Sequence, residues 1–161
     1  MIPSDHFVRF YNEVFKELDT LGGLSKYYHE ISKLQEKHCL ENFQKNGLQG
    51  VYNYYVQVKH DENCIMDIEL EKHCLTLRMN VCPSLSKAMD NDAGASPLYC
   101  NHCPGWVLPL YTKAGLYNVY DKMGQTNPQC CEYVYDDLKL AKEKYDQLSK
   151  TKPSDEILKN W

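Results

Sequence analysis

The residues best suited to chemistry lie in PLYCNHCPGW, residues 97–106, where Cys100 and Cys103 bracket His102 and Pro104 follows. Three chemistries fit that spacing. Two thiolates three residues apart reach one tetrahedral zinc, which then needs two further ligands. A thiol at a helix start feels the positive end of the helix dipole, which lowers its pKa and suits it to nucleophilic attack. A reduced dithiol can also cycle with its disulfide, but that use belongs to a βαβ context absent here. Against all three stands plain burial, because free cysteine is among the most buried residue types.

The chain holds eight cysteines, at positions 39, 64, 74, 82, 100, 103, 130 and 131. The metal reading takes Cys82, Cys100, Cys103 and Cys131 as ligands, with zinc as the expected ion and His102 and His73 as substitutes. Adjacent strand residues point to opposite faces, so only one of Cys130 and Cys131 should contribute; Cys131, in step with Tyr133 and Tyr135, is the choice. The nucleophilic reading takes Cys103 as the attacking thiol and His102 as acid and base, against a capping or surface role for the histidine. Arg78, one of two arginines, offers a planar fork for an acidic substrate, against an ordinary surface ion pair.

The elements that must position these residues follow from periodicity. Ser4 is a helix cap, and Phe7, Phe10, Tyr11, Val14, Phe15 and Leu18 recur at helical spacing up to Gly22-Gly23. Ser25 opens a second helix that Asn46-Gly47 closes, and Leu48–Lys59 reads as a third. The period then changes to two. Cys64, Met66, Ile68 and Leu70 share one strand face, and Leu75, Leu77, Met79 and Val81 another. A hairpin keeps both apolar faces together when Leu70 pairs with Leu75 and Cys64 with Val81 around the loop Glu71–Cys74. Cys64 then points into the core, His73 and Cys74 are exposed, and Cys82 points away or leaves the sheet.

Beyond Pro83, SLSKAM is a short helical piece and DNDAGASP a loop. Residues 97–116 are mostly helical, with Pro104 in the first turn, Pro109 as a kink and Gly115 as the stop. LYNVYDKM and CCEYVYDD are two strands around GQTNPQ, and Asp137–Lys150 is an amphipathic helix. The expected architecture is α+β: N-terminal helices packed on an antiparallel sheet of two hairpins, with an intervening helix and a C-terminal helix. Residues 1–150 form a single domain and 151–161 a polar tail.

Length and composition suit such a domain. A chain of 161 residues buries about 70% of its unfolded surface. Thirteen tyrosines are the one excess, and some should line a cleft, since tyrosine pairs apolar area with a polar tip. A net charge of −4 without a basic stripe argues against nucleic acid. No apolar run approaches the ~20 residues of a membrane span, and MIPSDHFVRF lacks a secretory pattern. A cytoplasmic protein with reduced thiols is expected.

The second half carries a recognisable order: VCPSLSKAM, then YCNHC, then GQTNPQCCEYVY. It resembles the L-2-amino-thiazoline-4-carboxylic acid hydrolase-like family and the related 4-vinyl-reductase-type small-molecule-binding domains, over residues 64–136. By that resemblance Cys82 with Pro83 matches the Cys-Pro element, Cys100 or Cys103 the middle cysteine, and Cys130 with Cys131 the paired cysteines. Tyr133 takes the place of the usual aromatic and is expected, with Arg78, at the substrate. Two departures stand out: Asn101-His102 where an acidic residue often follows the middle cysteine, and Asn127-Pro128-Gln129 where Gly-Asp-Asp commonly precedes the pair.

Two functions follow from the resemblance. One is a hydrolase that opens a C–N bond of a small cyclic amidine or amide. The other is a cysteine- or zinc-held module that captures a small molecule in an aromatic-lined pocket. An open three-ligand metal site would favour the first, and a closed four-cysteine site the second.

Overall fold

In the computed structural model the described residues are 3–62, 64–90, 94–123 and 127–161. The Ser4 side chain, and with it the expected cap, lies outside the described side chains. So do Asn91–Ala93 of the expected loop and Gly124–Thr126 of the expected turn.

Three helical stretches come first: α1 (Pro3–Thr20), α2 (Leu24–Gln35) and α3 (Glu41–Asp61). A wide turn, Glu36–Leu40, joins α2 to α3. The cap of α2 is Gly23, two positions ahead of the expected Ser25. Gly47 breaks α3 as its φ of 53° requires, so the Asn46-Gly47 stop and the helix after it both appear, fused across a kink.

Strands β1 (Ile65–Leu70) and β2 (Cys74–Val81) form the first hairpin. Helices α4 (Pro83–Met89) and α5 (His102–Ala114) follow, then β3 (Tyr117–Asp121), β4 (Cys130–Tyr135), α6 (Leu138–Ser149) and β5 (Ile157–Lys159). The α+β expectation is met: one antiparallel sheet in the order β1-β2-β4-β3-β5, with the N-terminal helices preceding it. Residues 151–161, read from sequence as a polar tail, instead supply the edge strand β5. Leu158 opposes Tyr120 there, and Lys152 Nζ reaches Asp121 Oδ2 at 2.6 Å. Three residues with one buried anchor, Ile157, are too short a pattern for periodicity to reveal.

The expected register holds through most of the first hairpin: Leu70 opposes Leu75, Ile68 opposes Leu77 and Met66 opposes Met79. A bulge between Ile65 and Met66 then brings Ile65, not Cys64, opposite Val81. Cys64 still enters the core. Cys74, expected exposed in the loop, is a half-buried β2 residue opposite Tyr135.

Register sorts the sheet into two faces. Leu75, Leu77 and Met79 lie opposite Val134, Glu132 and Cys130, which lie beside Asn118 and Tyr120 on β3. Helices α3 and α5 cover this face through Phe43, Val51, Val107, Leu110 and Tyr111. Each such side chain taken out of water stabilises the fold by about 1.5–3 kcal/mol. The opposite face carries Arg78, Cys131, Tyr133 and Tyr135, and α6 packs on its β3–β4 part.

A second core joins α1, α2 and α4 through Phe15, Leu24, Tyr28, Leu85, Ala88 and Tyr99. It takes only part of the α1 stripe. Phe15 is buried, while Phe7 and Phe10 remain 65% and 63% exposed, because α2 and α4 do not cover the first turns of α1. The second core is locked to the first where Gly105 of α5 meets Tyr28 of α2: a Cβ on Gly105 would lie 2.6 Å from Tyr28 Cγ.

Candidate active site

Cys103 is the second residue of α5, whose cap residue Asn101 makes no side-chain cap bond. Its side chain retains accessible surface, yet burial pushes its thiol well above the ordinary value, with Cys130, Cys82, Cys100 and Glu132 adding to the rise. The residue is exposed at the surface while its thiol lies among other cysteines and a carboxyl. Tyr55 of α3 has the same pairing of partial exposure and strong desolvation. The helix dipole was expected to lower the Cys103 pKa. That effect is worth about 0.3–1 kcal/mol, and desolvation beside other thiols and a carboxyl outweighs it.

The groups that act on the Cys103 thiol come from distant parts of the chain. Cys82 leaves β2 and caps α4, accepting from the Leu85 N–H at 3.4 Å, while its own N–H donates to the Pro128 carbonyl at 2.6 Å. Cys130 starts β4 and accepts from Tyr120 Oη at 3.3 Å. Burial raises Cys100 to about 11 and Cys130 to about 12. All four thiols, Cys82, Cys100, Cys103 and Cys130, are therefore protonated near neutral pH.

Cys131 is not among them. It lies on the opposite sheet face, where burial raises its thiol pKa and Tyr133 and Arg78 pull it down. The parity argument was right that one cysteine of the pair faces the middle helix. It chose the wrong one, because α5 covers the Cys130–Glu132–Val134 face and α6 the other. Arg78 and Tyr133 also lie on that opposite face. Arg78 is exposed, and Tyr133 carries Lys144 Nζ 3.9 Å from its ring centroid, so both lie across the sheet from Glu132. His73, the other substitute ligand, is exposed and pairs with Asp136 at 3.1 Å.

Among the described residues no group of three or more His, Cys, Asp or Glu side chains is close enough to hold a metal ion. The four ligands chosen from sequence do not fit one zinc, since Cys131 is separated from the others by the sheet itself.

His102 also turns elsewhere. Its ring lies 5.2 Å from the Phe15 centroid and 6.2 Å from that of Tyr28, and it lines a cleft of about 400 Å³ with Phe7, Tyr11, Ser84 and Tyr99. Burial lowers its pKa, so the imidazole is neutral, and its buried Nδ1 has no partner. No hydrogen bond joins it to Cys103 among the described residues.

A buried carboxyl on the Cys130 face of the sheet, Glu132, was missed by sequence reasoning. It is 5% exposed, and burial raises its carboxyl to about 7. Tyr111, Tyr55 and Asn118 pull the other way, and Asn118 Nδ2 donates to Oε1 at 2.8 Å. The Tyr111 and Tyr55 hydroxyls act on the carboxyl as hydrogen-bond donors. Alternation in CCEYVY does put Glu132 on the Cys130 and Val134 face, and a glutamate in an apolar strand was the available signal. No protein-family model, curated protein or solved structure matches this chain.

Proposed function

We propose that the protein hydrolyses a C–N bond of a small cyclic amidine or amide, with Cys103 as nucleophile and Glu132 as the proton-transfer group. The observation that supports this reading is an exposed cysteine at the start of α5 whose thiol feels a buried carboxyl with a pKa of about 7. The resemblance of the cysteine pattern to the amino-thiazoline carboxylate hydrolase-like family supplies the substrate class.

A thiol raised this far is protonated at neutral pH and needs a base during attack. Glu132, half ionised near pH 7, can accept that proton and return it. As Cys103 Sγ bonds to the amidine carbon, the C=N electron pair moves to nitrogen. The thiol proton passes through Glu132 to that nitrogen; the lone pair of the second amidine nitrogen then re-forms a C=N bond, its N–H proton passes through Glu132 to the first nitrogen, and the C–N bond breaks as that nitrogen leaves as a neutral amine, with a thioimidate on Cys103. Water, deprotonated by Glu132, then attacks the sulfur-bound carbon, and the thiol leaves with the proton restored. One negative charge moves in each step and no second is created, which suits a desolvated site.

The test is turnover of 2-amino-thiazoline-4-carboxylate by the full chain, followed by ring-opened product and by mass of a Cys103 adduct. Product formation abolished by Cys103→Ala supports the reading. No turnover and no adduct with wild-type protein would remove it.

The binding-module reading is favoured by one separate observation, the aromatic cleft of α1, α4 and α5. Saturable binding of a small aromatic ligand, lost in Tyr11→Ala with Cys103 irrelevant, would support that reading instead.

A further inference from the structure

The first turns of α1 leave aromatic surface uncovered beside the cleft of about 400 Å³, a volume in the range of small-ligand sites. Phe7 and Tyr11 are both exposed, although such rings stabilise a protein most when taken out of water. They line the cleft with Phe15, Pro83, Tyr99 and His102. Three of these rings lie nearly parallel. Tyr11 is inclined 30° to Phe15 and 28° to His102, and Phe15 is inclined 31° to His102. Rings set this way suit a flat guest better than a branched aliphatic one, because offset stacking adds to the area buried.

The uncharged polar groups at the cleft are donors. Neither ring nitrogen of His102 has a hydrogen-bond partner among the described residues, and Nδ1 is buried. A proton on Nδ1 would be a buried, unpaired N–H, which folded proteins avoid more strictly than an unpaired acceptor. The proton is therefore placed on Nε2, the nitrogen that a ligand can reach, and burial keeps the ring neutral. Ser84 and Tyr99 share a 2.6 Å hydrogen bond between their hydroxyls. The phenol is the more acidic of the two and donates, which leaves the Ser84 hydrogen over. Among the described residues nothing accepts it. Lys87 and Glu62 also line the cleft, and their opposite charges offset one another.

Two donors beside near-parallel rings match a flat, uncharged molecule with an acceptor in its own plane. We infer that this cleft selects a neutral planar aromatic ligand bearing an in-plane acceptor, a ring nitrogen or a carbonyl oxygen, which takes the His102 Nε2–H bond while its ring lies between the aromatic walls. A purely apolar ring would bury the donors unpaired, and a ligand that only donates would meet them hydrogen to hydrogen. The inference deepens the binding reading of the cleft and rests on it; it needs neither Cys103 nor turnover.

The test titrates the full chain at pH 7.5 with quinoline and with naphthalene, fused bicycles of the same shape that differ by one ring nitrogen. Amide shifts of Tyr11, Ser84 and Tyr99 in NMR spectra locate the binding. Quinoline should bind at least about tenfold tighter. His102→Phe keeps an aromatic ring and removes the donor, so it should bring the two probes to within about threefold of one another. Tyr11→Ala should weaken both. Equal affinities in wild type, or a preference that survives His102→Phe, would overturn the selectivity and leave the binding reading standing. Absence of cleft shifts with both probes would overturn the two together. Should His102→Phe fail to fold, indole takes its place as the control. Indole donates where quinoline accepts, so wild type should bind it at least about fivefold more weakly, and indole binding as tightly as quinoline would overturn the inference.

Discussion

Asn118 on β3 and Glu132 on β4 meet through a 2.8 Å hydrogen bond on the inner sheet face, close to a thiol that arrives from the start of α5. The backbone N–H of Asn118 is in turn held by Asn160 Oδ1 at 2.8 Å, so the carboxyl is tied through one asparagine to the C-terminal edge of the sheet. A buried carboxyl held this way links catalysis, stability and pH.

Stability should fall as pH rises. Glu132 goes from 4.5 to about 7 on folding, so between those values the folded state binds more protons than the unfolded one. Its penalty is absent below pH 4.5 and complete above about pH 7, where it amounts to ~3 kcal/mol. Glu132→Gln should flatten this part of the curve. Urea midpoints at pH 5.5 and 8, for wild type and variant, measure it.

Activity should run the other way. A base must be ionised, so kcat/KM for the amino-thiazoline carboxylate should rise with pH through about 7. Glu132→Gln should lower kcat by roughly 10²–10⁴-fold and remove that limb of the profile.

The same variant should make Cys103 easier to alkylate. The Glu132 charge contributes to the raised thiol pKa, so its removal lets more thiolate form. Iodoacetamide labelling of Cys103, followed by mass spectrometry, should be faster in Glu132→Gln although turnover is slower. Slower labelling would show that the carboxyl does not face the thiol. Cys131→Ala, altering a residue on the opposite sheet face, should leave turnover within about twofold, since surface-distant thiols take no part.

Gly105→Ala should cost about 1–3 kcal/mol. The added methyl would sit 2.6 Å from the Tyr28 ring and push α5 away from α2. Because Cys103 lies two residues earlier, the denaturant midpoint and the labelling rate of Cys103 should both change.

Asn160→Ala should destabilise by about 1–2 kcal/mol. It removes the bond from the Asn118 N–H and the donation to Leu116 O, both at 2.8 Å. Urea unfolding checks the loss.

Local pattern determined the elements. Period-two alternation set the first hairpin's pairing from Met66 to Leu70, helical spacing marked α3 and α6, and Gly115 ended α5. These depend on residues a few positions apart, so a linear reading reaches them. It also marked Cys82, Cys100, Cys103 and Cys130/Cys131 as one constellation. Which helix covers which sheet face depends on crossovers between distant segments. That alone decided that Cys130 rather than Cys131 meets Cys103, that Arg78 and Tyr133 lie opposite, and that His102 turns into the aromatic cleft. Desolvation is likewise a property of the assembled interior. It raised the Cys103 thiol against the helix dipole, and it made Glu132, unremarked in the linear sequence, the group able to move a proton at neutral pH.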